Sequence, residues 1–228
     1  MSNVTAADLE KLTQWDTPTI CNAIEITNPE RRGFGYTIKP LSCLAPSLPP
    51  VIGYARTAKI RATAPAAASV DRLVYYEYVA AIQNPTIVII EDVDAAPGYG
   101  AFWGEVQTNV HKGLGVVGCV TNGSYRDVVD SAPGFQLLGG MINPSHAHVH
   151  LIDLNCQTKV HGMEVNHGDI VHADRHGAVI IPEGAVKKIP SAVELIMRRE
   201  AVILGAARRS DFSLEKLKVA IGNQADIH

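Results

Sequence analysis

The chain has 228 residues, of which 46% are hydrophobic and 19% charged, and its formal net charge is −3. This composition suits one compact α/β domain over residues 1–228, and without a run of Lys or Arg it argues against nucleic-acid binding. No apolar run approaches the roughly 20 residues needed to span a bilayer, and the N-terminus lacks a secretory signal, so we expect a soluble, cytoplasmic protein without a membrane partner.

Residues 1–28 are predicted to be helical. A first helix begins after Thr5, where Asp8 stands three residues on as in a capping box. A second begins at Asp16-Thr17-Pro18, where a capping residue is followed by a proline that suits the first helical turn. The Pro- and Gly-rich residues 28–50 are predicted to form a long surface loop.

An α/β core is predicted over residues 51–182, and its first half alternates strands with helices. In chain order these are a strand at 51–62, a helix at 69–83, a strand at 86–93, a helix at 102–113 and a strand at 116–121. The strand at 86–93 is a continuous apolar run, as expected for a strand buried on both faces of a parallel sheet. The alternating order is typical of a layered α/β domain.

After Arg126-Asp127 the pattern changes to short strands separated by Gly, Pro, Asn and Asp, which predicts an antiparallel or mixed sheet. These strands are expected at 135–142, 146–154, 158–165, 169–174 and 178–182. Residues 183–228 are predicted to be C-terminal helices, broken at Pro190 and restarting with Ser213 as a cap. The sequence therefore predicts a β-core flanked by helices.

The strongest local motif is the Arg126-Asp127 pair, which follows the predicted strand 116–121 and an Asn122-Gly123 turn. Ligands bind near the carboxyl ends of strands in open α/β sheets, and a turn aims the next side chains above those ends. The pair therefore marks a candidate site. On this motif alone, a helix cap and a weak surface ion pair are the favoured interpretation.

A second motif, Gly98–Gln107, follows a predicted strand and opens a helix. Glycine lets the backbone approach a ligand closely, and the amides of a first helical turn favour an anion such as a substrate carboxylate. Glu105 lies in that turn and could instead simply complement the helix dipole. Both interpretations stay open on the residues alone.

Three histidines, His146, His148 and His150, alternate on the predicted strand 146–154 and would share one face. Such a face could bind a transition metal. A half-exposed strand or a subunit contact explains the pattern with fewer assumptions, and we favour that interpretation.

Glu105 is followed by twenty residues and then by Arg126-Asp127, and this spacing resembles the class II pyruvate aldolases. That family contains the 4-hydroxy-4-methyl-2-oxoglutarate and 4-carboxy-4-hydroxy-2-oxoadipate aldolases, the regulator of ribonuclease activity A and proteins once described as dimethylmenaquinone methyltransferases. The segment 166–182 resembles the family's P-G-D-x-x-x-A-D-x-x-G-V-x-x-I-P hairpin, and the similarity covers most of residues 51–205. Glu105 and Asn122 depart from the family pattern, in which Asp is common at both positions.

The resemblance implies a layered α/β/β/α core, like that of swivelling domains, with mixed sheets flanked by helices. It implies a carbon–carbon lyase that cleaves 4-hydroxy-2-oxo acids to pyruvate through an enolate and that also decarboxylates oxaloacetate. Asp127 would hold Mg²⁺ or Mn²⁺, Arg126 would stabilise the enolate, and Glu105 would be the general base. The implied substrate-binding residues are Gly104, Glu105, Val106, Gln107 and Arg126.

The resemblance also implies a homo-oligomer, because relatives form trimers that in some cases pair into hexamers. A neighbouring subunit would supply a further acid, with Glu200 the first candidate and Glu194 the second. One branch of the family inhibits a ribonuclease by binding it, so a non-catalytic regulator is the alternative function. The carboxylate retained at position 105 favours an enzyme, because a regulator has no need of it.

Overall fold

The computed structural model describes residues 4–81 and 85–227. Within them the α-helices are α1 (Ala6–Leu12), α2 (Thr17–Thr27), α3 (Arg72–Ala80), α4 (Glu105–Gly113), α5 (Ile189–Ala207) and α6 (Leu214–Ala225). Two short 3-10 helices lie at Pro29–Arg31 and Glu183–Ala185. Residues 1–3 of the predicted helical N-terminus, residues 82–83 of the predicted helix 69–83, and His228 lie outside the described residues.

The described strands form a large mixed sheet, a small parallel sheet and a hairpin. They are β1 (Ser42–Cys43), β2 (Val51–Arg61), β3 (Thr86–Asp92), β4 (Ala101–Trp103), β5 (Val116–Thr121), β6 (Ser124–Tyr125), β7 (Gln136–Gly139), β8 (Met141–Ile142), β9 (His150–Leu154), β10 (Thr158–Val160), β11 (Met163–Val165), β12 (Ile170–Asp174) and β13 (Gly177–Ile181). The large sheet has the order β1-β7-β5-β3-β2-β12-β13, with β9 also paired to β2. The small sheet is β4-β6-β8, and β10 pairs with β11.

The relation between the two sheets positions the candidate site. In the large sheet β3, β5 and β7 run parallel to one another. Each of these strands is followed in the chain by one strand of the small sheet, β4, β6 and β8 respectively, and those three are also parallel. The chain therefore crosses three times from the large sheet to the small one in the same direction. The residues that follow β4 and the residues that follow β6 consequently lie next to each other.

Alternate side chains of β3 pack in two different cores, so both faces of the large sheet are covered. Val88 and Ile90 pack in a core that contains Tyr75 and Val79 of α3. Ile87 and Ile89 pack in a second core with residues of the β10–β11 hairpin. A further core joins α1, α2 and α5 to β12 and β13. The predicted α/β fold, with mixed strand directions between flanking helices, is confirmed.

Helix starts follow the predicted capping residues. Thr5 and Asp8 form the capping box of α1, Asp16 caps α2 and Ser213 caps α6. The predicted break at Pro190 is wrong, because Pro190 lies in the first turn of α5, where a proline costs no helical hydrogen bond. Residues 183–189 form a short 3-10 turn and the start of α5 instead of a separate helix.

Four other element predictions need correction. The loop 28–50 contains a short strand, β1, which pairs with β7. The helix expected at 102–113 begins at Glu105, because residues 101–103 form β4. The strand expected at 146–154 begins only at His150, and the segment 158–165 folds back on itself as the β10–β11 hairpin.

Candidate active site

Arg126 and Asp127 stand at the end of β6, next to the residues that link β4 to α4. The backbone amide of Arg126 donates a hydrogen bond of 3.0 Å to the carbonyl oxygen of Trp103, the last residue of β4. This bond extends the pairing of β4 with β6 by one residue. It brings Arg126-Asp127 beside Gly104-Glu105, although twenty residues separate the two pairs in the chain.

The backbone of Asp127 adopts a left-handed conformation, with φ of 52°. Aspartate is among the few residues that tolerate this region, and such strain is common at functional sites. The amide and the hydroxyl group of Ser131 both donate hydrogen bonds of 2.9 Å to the carbonyl oxygen of Asp127. These two bonds fix the backbone of the loop after β6 at Asp127.

The Asp127 carboxylate has one engaged oxygen and one unengaged oxygen. Oδ2 accepts a hydrogen bond of 3.1 Å from the Glu105 amide and lies 3.5 Å from Nε of Arg126. No group within the described residues donates a hydrogen bond to Oδ1. The side chain is 36% exposed, so Oδ1 can accept a ligand without first losing a protein contact.

Gly104 makes the close approach of Asp127 to α4 sterically feasible. A Cβ atom at position 104 would collide with Oδ2 of Asp127 and lie 3.2 Å from Cγ of Arg126. The hydroxyl group of Thr108 donates to the Gly104 carbonyl oxygen at 2.9 Å and accepts a 2.9 Å hydrogen bond from the Ala132 amide. Thr108 therefore joins the start of α4 to the loop that follows Asp127.

The first turn of α4 presents unpaired backbone amides. Gly104 is the N-cap residue and has no side chain to satisfy them. The Glu105 amide is bonded to Asp127, whereas those of Val106 and Gln107 make no hydrogen bond within the described residues. Free amides at a helix N-terminus attract anions, so this turn can bind a carboxylate as expected from the sequence.

A buried pair of side chains anchors α4 to α3. Nδ1 of His111 lies 2.6 Å from the Gln107 carbonyl oxygen, which can only accept, so Nδ1 carries the proton. Nε2 of His111 then accepts the hydrogen bond from the Tyr75 hydroxyl group, at 2.6 Å. Burial lowers the pKa of His111 to about 4, which keeps the ring neutral and this arrangement intact near pH 7. Tyr76 also donates to Oε1 of Gln107, at 3.0 Å.

A cavity of about 640 Å³ opens in front of Arg126 and Asp127. Gly104, Val106 and Gln107 line it beside them, so the two sequence motifs do meet at one surface. Further lining comes from residues 69–72 at the start of α3, and from His146 and residues 149–151 around the start of β9. The sequence motifs do not mark the start of α3, and they mark His146 and His150 only as part of a possible metal-binding face.

The predicted acids are less closely grouped than the spacing suggested. The Glu105 side chain is exposed and does not line the cavity, although its backbone amide contacts Asp127. Glu194 and Glu200 are exposed on α5, and neither lines the cavity of its own chain. Asn122 bridges two strands, donating to the Asp92 carbonyl oxygen and accepting from the Asp92 amide, both at 2.8 Å. An aspartate could not make the first of these bonds.

The three histidines do not share a strand face. His146 and His148 lie in the loop before β9, and only His150 belongs to the strand. His146 and His150 line the cavity, whereas His148 does not. Residues 4–81 and 85–227 contain no group of three or more His, Cys, Asp or Glu side chains placed to hold a metal ion.

The donor set at Asp127 suits a hard divalent cation. Carboxylate oxygen is the ligand such cations prefer, and Mg²⁺ usually keeps several waters while binding to only one or two protein carboxylates. Oδ1 of Asp127 is unengaged and lies at a cavity large enough for waters and a small acid. Asp127 would therefore be the protein ligand of Mg²⁺ or Mn²⁺.

The chain matches the family described as RraA-like (Aldolase/RraA) over residues 17–180 and belongs to that family. The resemblance drawn from the motif spacing is thus confirmed. No curated protein matches the chain. None of the helices in the described parts of the chain is both long and apolar enough to pass through a bilayer.

Several solved structures share the fold. An uncharacterized protein from Pseudomonas syringae pv. tomato aligns with a TM-score of 0.71 at 18% identity, covering 95% of this chain and 94% of that one. RraAS2 of Streptomyces coelicolor, described as an unusual member of the RNase ES inhibitor RraA family, gives 0.68 at 19% identity and covers 86% and 96%. The RNA-processing inhibitor RraA from Thermus thermophilis gives 0.51 at 17% identity and covers 70% and 90%.

Proposed function

We propose that this protein is a divalent-metal-dependent carbon–carbon lyase that cleaves 4-hydroxy-2-oxo acids to pyruvate and also decarboxylates oxaloacetate. The observation that carries the proposal is the convergence, at one cavity, of a carboxylate with an unengaged oxygen, a guanidinium group and unpaired helix amides. These groups match the three needs of the reaction, which are a cation ligand, a positive charge beside the developing enolate and a carboxylate site.

The substrate's C1 carboxylate would bind at the amides of Val106 and Gln107, where the dipole of α4 favours an anion. Arg126 would donate hydrogen bonds to the C2 oxygen. A cation at Asp127 would supply further positive charge at that oxygen when bound. Breaking the C3–C4 bond moves its electron pair toward C3 and the C2 oxygen, and the guanidinium group of Arg126 stabilises the negative charge that develops there.

The C4 hydroxyl proton must leave as the C3–C4 bond breaks, and we assign its removal to Glu105. The Glu105 side chain is exposed in the first turn of α4 and makes no hydrogen bond within the described residues, so rotation of its side chain can direct the carboxylate toward the cavity. Catalytic hydrogen bonds often form only once the substrate is bound. Water then protonates C3 and the proton on Glu105 passes to solvent, which completes pyruvate and restores the Glu105 carboxylate.

The direct test measures the release of pyruvate from a panel of 4-hydroxy-2-oxo acids and from oxaloacetate. The release is monitored by coupling it to lactate dehydrogenase. We expect turnover that needs Mg²⁺ or Mn²⁺ and stops on addition of a chelator. For oxaloacetate the rate must exceed that of the free metal ion, because the ion alone decarboxylates it. Rates equal to the protein-free control for every substrate would reject the lyase.

Replacing Glu105 with Gln is expected to separate the two reactions. Retro-aldol cleavage needs a base, so its kcat should fall about 100-fold or more, in the range general-base catalysis contributes. Decarboxylation of oxaloacetate removes no hydroxyl proton and should stay within about 5-fold. The substitution keeps the backbone amide that bonds to Asp127, so oxaloacetate serves as an internal control for the site. Equal losses in both reactions would show that Glu105 is not the base.

The alternative function is a non-catalytic regulator that binds a ribonuclease. Two of the similar structures are described as a member of an RNase ES inhibitor family and as an RNA-processing inhibitor. The likeness to those two proteins, at 19% and 17% identity, shows the fold alone. Thermal unfolding with and without Mg²⁺ plus oxalate separates the two functions. A ligand-dependent rise in Tm supports a working site, because only ligands that bind the native state stabilise it. The absence of any rise supports the regulator.

We further propose that the chain forms a homo-oligomer, a trimer or hexamer, in which Glu200 or Glu194 of a neighbouring subunit reaches the site. Three exposed valines flank the site, Val106, Val128 and Val129, and the last is 92% exposed. Exposed apolar groups beside a site suit a subunit contact. Replacing Val129 with Asp should lower the mass measured by sedimentation equilibrium, whereas an unchanged mass, or a monomeric wild type, would reject this contact.

A further inference from the structure

The cavity has a second wall that takes no part in the reaction described above. This wall is made by residues 69–72, His146 and residues 149–151. The amide of Val70 donates a hydrogen bond of 2.9 Å to the Leu151 carbonyl oxygen, which fixes the start of α3 against β9. Val70 and Leu151 also pack in the same hydrophobic core. The backbone of this wall is therefore held by tertiary contacts.

Arg72 carries an uncommitted positive charge on this wall. It is the first residue of α3, is exposed, and makes no hydrogen bond or ion pair within the described residues. The adjacent Asp71 forms no ion pair with it; instead, Oδ1 of Asp71 accepts from the amides of Leu73 and Val74, at 2.7 and 3.3 Å. A free guanidinium group beside a cavity is suited to bind a carboxylate in a two-point hydrogen-bonded pair.

Two imidazoles on the same wall are held with one ring nitrogen available. Nδ1 of His146 lies 2.9 Å from the Ala147 carbonyl oxygen, and Nδ1 of His150 lies 2.7 Å from that of His148. A carbonyl group can only accept, so Nδ1 is the protonated nitrogen in both rings. Nε2 of each ring makes no hydrogen bond within the described residues and, as the unprotonated nitrogen, can accept a hydrogen bond from a donor in the cavity.

The part of the lining between these polar groups is apolar. Val70, Phe102 and Val149 line the cavity, and all three also pack against the core around Tyr75. Such a surface suits a short hydrocarbon segment. The cavity therefore offers anion-binding groups in two places, at Arg126 with the first turn of α4 and at Arg72, and it also has an apolar lining.

We propose that Arg72 determines substrate specificity by binding an anionic group at the end of the substrate remote from the 2-oxo acid. The inference rests on the proposed function, in which Arg126 and the α4 amides hold the 2-oxo acid end. Arg72 is a specificity residue in this scheme and takes no part in bond breaking. A substrate with a neutral end would leave the guanidinium group without a partner.

The test measures binding and does not need turnover. Two compounds of equal chain length, 2-oxoglutarate and 2-oxopentanoate, differ only in a carboxylate or a methyl group at C5, and neither carries the 4-hydroxyl group. Dissociation constants are measured by calorimetry in the presence of Mg²⁺ for the wild type and the variants R72Q, R72K and R208Q. Arg208 is an exposed arginine at the end of α5, outside the cavity, and serves as the matched control.

The wild type and R208Q should bind 2-oxoglutarate about 10- to 100-fold more tightly than 2-oxopentanoate, the range expected for a charged hydrogen-bonded pair. R72Q should lose this preference by weakening 2-oxoglutarate alone, and R72K should retain part of it. A wild type without the preference, or an R72Q variant that keeps it, would overturn the proposal. If R72Q loses the preference yet no 4-hydroxy-2-oxo acid is cleaved, the binding site stands and the lyase function fails.

Discussion

Replacement of Asp127 with Asn should lower kcat/KM for pyruvate release at least about 1,000-fold, for 4-hydroxy-2-oxo acids and oxaloacetate alike. The variant loses the negative charge that would bind the divalent cation, and with it several kcal/mol of stabilisation of the enolate. The change is nearly isosteric. The Asn side-chain oxygen can still accept the hydrogen bond from the Glu105 amide, and Asn tolerates the left-handed backbone found at position 127.

Asp130 provides the matched control for this experiment. It lies in the same loop, is exposed, and does not line the cavity. Asp130→Asn removes the same charge three residues away and should leave kcat/KM within about 2-fold of the wild type, because screened surface charges contribute little. Both variants should melt within a few degrees of the wild type. More than a tenth of wild-type activity in Asp127→Asn would exclude Asp127 as the cation ligand.

The main strands of the fold could be predicted because burial imposes their sequence pattern. Residues 87–90 are all apolar since both faces of β3 are covered. The small sheet could not be predicted, because β4, β6 and β8 have only two or three residues each and are too short to show a period. For this reason the sequence pattern assigns the apolar residues 102 and 103 to the following helix.

The side of the cavity that contains Arg126 and Asp127 could be located from the sequence motifs, whereas the side that contains Arg72 could not. Arg126-Asp127 and Glu105 stand out because each follows a strand at a recognisable turn. Arg72 has no such signal, since the start of α3 meets β9 only through the pairing of β9 with β2 and the hydrogen bond from Val70 to Leu151. His150 stands out only as one of three alternating histidines, and the sequence does not connect it with Arg126-Asp127. The direction of an exposed side chain is equally invisible in a sequence, so the exposed position of Glu105 was not foreseen.

Position 104 must hold a small residue because of the neighbouring Asp127 side chain, and not because of the backbone conformation of Gly104. Its φ of −173° is extended and open to any residue, so Gly104→Ala introduces no backbone strain. The added methyl group would instead clash with Oδ2 of Asp127 and make a tight contact with Cγ of Arg126. Because the Asp127 side chain is partly exposed, it can turn aside, and the protein should fold with little loss of stability.

The expected result for Gly104→Ala is therefore a loss of about 100-fold in kcat/KM with a nearly unchanged Tm, since displacing a catalytic group by about 1 Å costs on this order. Gly113→Ala, at the other end of α4, is the control, because a Cβ atom there meets no atom within 4 Å. This variant should keep full activity and be slightly more stable, because alanine has a higher helix propensity than glycine. Wild-type activity in Gly104→Ala would mean that the contact between α4 and the Asp127 carboxylate does not set the geometry of catalysis.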